Sequence, residues 1–264
     1  MTEVLQLEVV DRVATVTLSR PEARNALDRE LRAALTRTMG DLDGDEGVDV
    51  VILTGADPAF CAGLDLKELG SAPDTDAPAE ALDAGRASPA AMRGPFPPMT
   101  TPVIGAINGA AITGGFEVAL RCDLLVASER AVFADTHARV GIMPGWGLTV
   151  LLAQAVGVRR AREMSATGNF LDAATALVWG LVNHVVPHDE LLPLARGLAA
   201  DIVSNDQRAV RRVLRTYDEG ALVTAGEAWE IEAEVAAAWQ GEGIDPAAVE
   251  ARRMAVIERG RAQV

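Results

Sequence analysis

The chain reads as an α/β protein, and three observations carry that reading. Apolar runs of strand length alternate with stretches of helical periodicity from residue 4 to residue 188. Two glycine-bearing segments, Phe60-Cys61-Ala62-Gly63-Leu64-Asp65-Leu66-Lys67 and Gly109-Ala110-Ala111-Ile112-Thr113-Gly114-Gly115-Phe116-Glu117, each follow such a run. From Asp189 onward the strand signal stops and helical patterns remain. The expected organisation is therefore an α/β core over 1–188 and a helical region over 189–264. At 264 residues and 49% hydrophobic composition, the chain has ample material for one large core with an appendage.

Val4 to Val10 and Val13 to Leu18 predict two strands joined as a hairpin at Asp11-Arg12. Leu31, Leu35, Met39 and Leu42 then recur at helical spacing, which completes a β-β-α unit. Val50 to Leu53 and Val103 to Ile107 predict further strands. Leu124-Leu125-Val126 and Val132-Phe133 predict two more after a helix that begins near Gly114 and contains Glu117. Between them, Ser71 to Met99 scatters Asp74, Asp76, Glu80 and Asp83 among alanines and is broken by Pro73, Pro78, Pro89, Pro95, Pro97 and Pro98. It predicts a mobile, partly helical excursion, serving as a cover for a binding site or as a solvated insertion. Leu191 to Val203, Gln207 to Tyr217, Ala221 to Trp239 and Pro246 to Arg261 predict the helices of the C-terminal region.

The two glycine-bearing segments carry the chemistry. Each leaves a strand (Val50-Val51-Ile52-Leu53 before the first, Val103-Ile104-Gly105-Ala106-Ile107 before the second), turns on glycine and presents backbone N–H groups near a helix start. Two such donors that converge would stabilise negative charge developing on a carbonyl oxygen. The pair resembles the crotonase, or enoyl-CoA hydratase/isomerase, superfamily. Arg20-Pro21-Glu22-Ala23-Arg24-Asn25-Ala26-Leu27 matches that family's N-terminal signature, and Gly141-Ile142-Met143-Pro144-Gly145 the region behind its active site. Gly180-Leu181-Val182-Asn183-His184-Val185-Val186-Pro187 matches a later one. The resemblance covers essentially the whole chain. It implies a crotonase-like spiral of β-β-α units with a C-terminal α-helical oligomerisation region, assembled as a homotrimer or a hexamer of paired trimers.

It also implies roles. The two oxyanion donors map onto the N–H groups of Leu64 and Gly114, and Glu117 matches an acid/base glutamate. Glu117 in a first helical turn is equally consistent with a partner for the helix dipole, a contribution of about 0.3–1 kcal/mol. Counting back from Gly141 puts His137 where the best-known hydratases carry a second glutamate. His137 is then either a general acid beside Glu117 as base or a packed polar residue at a strand end. Asp135, two residues earlier, would orient the imidazole if the strand continues. Ala62, Gly63, Leu64, Asp65, Leu66 and Lys67 would contact the substrate, with Arg24 and Lys67 near the coenzyme A phosphates and Trp146 lining or supporting the acyl pocket. The substrate is an acyl-CoA and no separate cofactor is implied. The favoured activity is 2-enoyl-CoA hydration; a double-bond isomerase and a noncatalytic acyl-CoA binder are the alternatives.

Composition narrows the remaining classes. A net charge of −14 argues against nucleic acid or an anionic membrane as partner. Cys61 and Cys122 form no disulfide framework and show no metal-ligand spacing, so no metal is expected. Cys61 beside the first turn reads as a small apolar filler, with no histidine near it in sequence. Acidic Glu3 and the lack of an apolar signal core predict a cytoplasmic protein. The uncharged stretches Gly94 to Phe116 and Val140 to Val158 are interrupted by proline, glycine and threonine, as buried turns and strands are. Gly109 and Gly114 have the spacing of a phosphate loop, but Gly115-Phe116 stands where lysine and serine or threonine are required.

Overall fold

The computed structural model describes residues 4–69, 94–243 and 245–263, so the excursion expected over 71–99 lies outside the described residues as far as residue 93. Strands β1 (Leu5–Val10) and β2 (Val13–Leu18) form the antiparallel hairpin, with Val10 opposite Val13. Helix α1 (Arg29–Asp43) follows. Its N-terminus is capped by Asp28, whose side chain accepts the N–H of Leu31 at 2.8 Å, and its apolar stripe of Leu31, Leu35, Met39 and Leu42 is buried.

Three successive turns of chain then repeat one plan. A long strand is followed by a short strand and then by a helix: β3 (Val50–Gly55), β4 (Ala59–Cys61) and α2 (Leu66–Leu69); β5 (Val103–Ile107), β6 (Ala110–Ile112) and α3 (Gly114–Leu120); β7 (Leu124–Ser128), β8 (Val132–Ala134) and α4 (His137–Val140). The long strands join a six-stranded sheet in the order β1-β2-β3-β5-β7-β10, where β10 is His184–Val186. The short strands form a second sheet in the order β4-β6-β8-β9, where β9 is Leu171–Asp172. Within each sheet the successive turns pair in parallel, with Val51 opposite Val103, Ile104 opposite Leu124, Ala59 opposite Ala110 and Ile112 opposite Ala134. This is the spiral of β-β-α units.

The main core fills the space between the sheets and α1. Phe60, Phe116 and Phe133 are fully buried, and the rings of Phe116 and Phe133 lie 5.6 Å apart. After β8 come α5 (Leu148–Val156), α6 (Val158–Thr167) and α7 (Ala173–Trp179), and after β10 comes α8 (Leu191–Val203). Leu191, Ala195 and Ala199 of α8 pack on Val50, Ile52, Ile104, Ala106 and Val126, a second apolar cluster on the large sheet. The sequence division at 188/189 therefore falls before a helix that belongs to the sheet packing. The chain forms two compact units, Met1–Arg211 and Arg212–Val264. Helices α9 (Gln207–Ala221), α10 (Ala225–Gly241) and α11 (Pro246–Gln263) follow, so Ala221 ends one helix rather than beginning the next. The reason is local: Thr224 and Glu227 form a reciprocal capping box that starts α10 four residues later than the apolar pattern suggests. No helix among the described residues is long and apolar enough to cross a membrane.

Candidate active site

Because β4, β6 and β8 are neighbours in one sheet and run in parallel, the chain leaves all three at the same edge. The segments that follow are Ala62–Leu64, Thr113–Gly114 and Asp135–His137, far apart in sequence and adjacent here. A Cβ built on Gly114 would lie 3.6 Å from the backbone nitrogen of Leu64, and one built on Gly63 would lie 3.4 Å from the nitrogen of Gly114. The two N–H groups are thus side by side, and no acceptor among the described residues takes either of them.

The Leu64 donor is aimed by a parallel bridge. Leu27 N–H donates to Gly63 O at 2.7 Å and Asp65 N–H donates to Leu27 O at 3.1 Å, so the N–H of Leu64, between them, faces away from Leu27. The Gly114 donor follows Thr113, a β-branched residue at φ 54°, a conformation that costs roughly 1–3 kcal/mol. Thr113 is held there by its N–H, which donates to Ala134 O at 2.8 Å, and by a close hydroxyl pair with Thr136.

One turn further on, Glu117 is 3% exposed. Its Oε1 accepts the N–H of Trp146 at 2.7 Å, and its Oε2 lies 3.5 Å from His137 Nε2. Burial pushes the Glu117 carboxyl above its ordinary value; the N–H of Trp146, the charge of His137 and the N–H groups of Leu148 and Gly145 oppose this without cancelling it. His137 Nδ1 lies 2.6 Å from Asp135 Oδ1, which also accepts the His137 N–H at 3.2 Å. Asp135 and His137 are 2% and 4% exposed. The Asp135 carboxylate accepts the Nδ1–H and so fixes the ring with Nε2 directed at Glu117.

The sequence expected His137 at a strand end with Asp135 on a continuing strand. Instead β8 stops at Ala134, and His137 opens the one-turn helix α4. Asp135 still meets the imidazole, because its carboxylate folds forward onto the His137 N–H two residues on rather than because strand alternation aligns the two. Trp146 meets the site twice: its N–H holds Glu117, and its ring comes within 3.4 Å of where a Gly114 Cβ would stand. Asp65 is engaged with its own fold, accepting the Lys67 N–H at 3.0 Å and pairing with Arg20 at 3.3 Å. Ala62 N–H donates to Arg24 O at 3.0 Å; the Arg24 side chain, Leu66 and Lys67 are exposed. Cys61 is fully buried and its thiol is pushed up to about 12 by burial, which fits the filler reading. Sequence reasoning missed Asn25 and Asn108, both buried and both bonded to the β3–β4 turn. Asn25 stood inside a quoted motif, yet nothing local names partners more than thirty residues away.

The fold and the site together define a crotonase-type protein: a β-β-α spiral whose second sheet presents two backbone donors beside a buried carboxylate. Residues 8–243 match the enoyl-CoA hydratase/isomerase family, and the chain belongs to it. A relative from Arabidopsis thaliana, "Probable enoyl-CoA hydratase 1, peroxisomal", is 41% identical over 234 residues, covering 86% of this chain and 83% of that protein. The crystal structure of an enoyl-CoA hydratase from Mycobacterium smegmatis is 53% identical with a TM-score of 0.73, covering 90% of this chain and 99% of that one. A monofunctional enoyl-CoA isomerase from M. smegmatis is 33% identical with a TM-score of 0.70, covering 86% and 98%.

Proposed function

We propose that the protein is a 2-enoyl-CoA hydratase, a hydro-lyase that adds water across the 2,3 double bond of an acyl-CoA thioester. The observation that carries this reading is the placement of a buried Glu117–His137 pair, 3.5 Å apart, one helical turn from the adjacent N–H groups of Leu64 and Gly114. The thioester oxygen accepts from both N–H groups, which lowers the energy of the enolate formed as oxygen adds to Cβ. Glu117 takes a proton from the attacking water; burial makes it a stronger base than an exposed glutamate. His137, held by Asp135, supplies a proton to Cα in place of a second glutamate. Water has then been split into hydroxyl at Cβ and hydrogen at Cα, and the proton held by Glu117 goes to His137, directly or by exchange through solvent, which restores both groups.

The test is incubation of purified protein with 2-enoyl- and 3-enoyl-CoA thioesters, followed by mass. Hydration adds the mass of water to a 2-enoyl-CoA. Glu117 faces Nε2 of the histidine across this site, an arrangement that also suits a 1,3-proton shift. Isomerisation would convert a 3-enoyl-CoA without mass change, and a binder would give neither product.

The remaining parts of the reading have different supports. Coenzyme A belongs to the substrate, with Ala62 to Lys67 and Arg24 as its expected contacts and Trp146 beside the acyl group. Self-association as a trimer or a pair of trimers is supported by apolar side chains in the C-terminal region: Tyr217, Trp229 and, in the turn between α9 and α10, Leu222 are exposed and Trp239 is half-buried. A cytoplasmic location is supported by two cysteines that are both free thiols.

A further inference from the structure

We infer that Asn25 is a positioning residue for the oxyanion donor at Leu64, an inference that rests on the hydratase reading of the donor pair. Asn25 is 0% exposed and has φ 56°, a left-handed conformation that asparagine tolerates better than most residues. Its Oδ1 accepts the N–H of Arg20 at 2.9 Å. Its Nδ2 lies 2.8 Å from Ala56 O, 2.7 Å from Ala59 O and 3.2 Å from Phe60 O. One carboxamide therefore ties the start of the N-terminal motif to the carbonyls of the turn that leads into β4.

The residues on either side of Asn25 grip the other end of that loop. Arg24 O accepts Ala62 N–H, while Leu27 exchanges bonds with Gly63 and Asp65. Segment 24–27 is thus fastened to residues 56–60 by a side chain and to residues 62–65 by backbone. Leu64 is the residue left with its N–H facing outward. Asn25 also lies against Gly55, where an added Cβ would stand 2.8 Å from Nδ2, so glycine at 55 leaves the carboxamide its place. The backbone bridge holds Leu64 to Leu27; the carboxamide refers that bridge to β4, and through β4 to the neighbouring strand β6 that carries Gly114. Without it, segment 24–27 keeps only its backbone bonds to residues 62–65.

The test uses Asn25→Gly, which keeps the left-handed backbone available, and Asn25→Asp, which keeps the shape and removes the donors. Val126→Ala, in the cluster under α8, serves as a destabilised control remote from the loop. Each protein is examined by thermal melting, by turnover of 2-butenoyl-CoA, and by the infrared carbonyl stretch of bound butyryl-CoA carrying a labelled thioester carbonyl. Wild type lowers that stretch, because two N–H groups polarise the carbonyl. Both Asn25 variants are expected to bind butyryl-CoA, to lose most of the shift and to lose kcat by about 10²-fold, the scale of an ångström of misplacement. Val126→Ala is expected to melt earlier with shift and kcat kept. The inference is overturned if either folded Asn25 variant keeps both shift and kcat, if Val126→Ala loses them in step with its melting point, or if neither Asn25 variant folds. Absence of any shift in wild type would remove the oxyanion reading itself, and Asn25 would then have no donor to position.

Discussion

Gly114 and Gly115 are adjacent, yet alanine at each should do opposite things. A Cβ on Gly115 would stand 2.1 Å from Cys61 O and 2.7 Å from both Cys61 C and Cys61 Cβ. A carbon meets a carbonyl oxygen at about 3.3 Å or more, so α3 would have to lift from β4 by more than about 1 Å. The obstacle is fully buried backbone, and the expected loss is about 3 kcal/mol or more. On Gly114 the same atom would meet Trp146 at 3.4 Å and the Leu64 side chain and nitrogen at 3.6 Å, ordinary contacts. Stability should then change by no more than about 1 kcal/mol, with helix propensity on the side of alanine. Turnover should not survive as well. An oxygen shared by both donors lies about 2.9 Å from each nitrogen, and a methyl 3.6 Å from Leu64 N crowds it. The expected fall in kcat/KM is roughly 10²–10³-fold, as for loss of one oxyanion donor. Urea melts and turnover of 2-butenoyl-CoA on both variants decide the matter. A Gly114→Ala protein with wild-type turnover, or a Gly115→Ala protein with a wild-type melt, would refute the reasoning.

Glu117→Gln should retain acyl-CoA affinity and lose most of kcat, read by single-turnover kinetics beside a binding titration. It should also be the more stable protein near neutrality. The folded state holds the Glu117 proton more tightly than the unfolded state, so wild type loses stability as pH rises through the raised value; glutamine does not. The gap in melting temperature should widen from acid to neutral pH, and a constant gap would count against the buried ionisation. His137→Gln should lower kcat and remove one limb of the pH–rate profile, while His137→Glu should retain or raise hydration; an unchanged profile would leave the histidine as packing alone. Light scattering at micromolar and at dilute concentration should find an oligomer, and a monomer at both would contradict self-association through the C-terminal helices.

Much of the fold was legible because its signals are local. The period of Leu31, Leu35, Met39 and Leu42, the runs Val50 to Leu53 and Val103 to Ile107, and the helix start at Gly114 all emerged within a residue or two of their expected places. The short strands β4, β6 and β9 were not legible, since runs as short as Ala-Phe-Cys, Ala-Ala-Ile and Leu-Asp carry no periodicity to detect. The function of Trp146 was legible only as a residue type. Its backbone N–H, which holds Glu117, has no sequence signature at all.

The sequence by itself determined the chemical inventory: which carboxylates and imidazoles are on offer, and which glycines let backbone approach closely. Their convergence was decided by tertiary structure. Residues 64, 114, 117, 135 and 137 meet because β4, β6 and β8 pair side by side and release the chain at one edge. Strand pairing is a choice among distant partners, settled by how the apolar faces of the whole chain are buried together. The same is true of Asn25, whose amide finds three carbonyls only after the chain has closed a loop of more than thirty residues around it. Local sequence sets a residue's own conformation, whereas burial against remote segments sets which neighbour it meets.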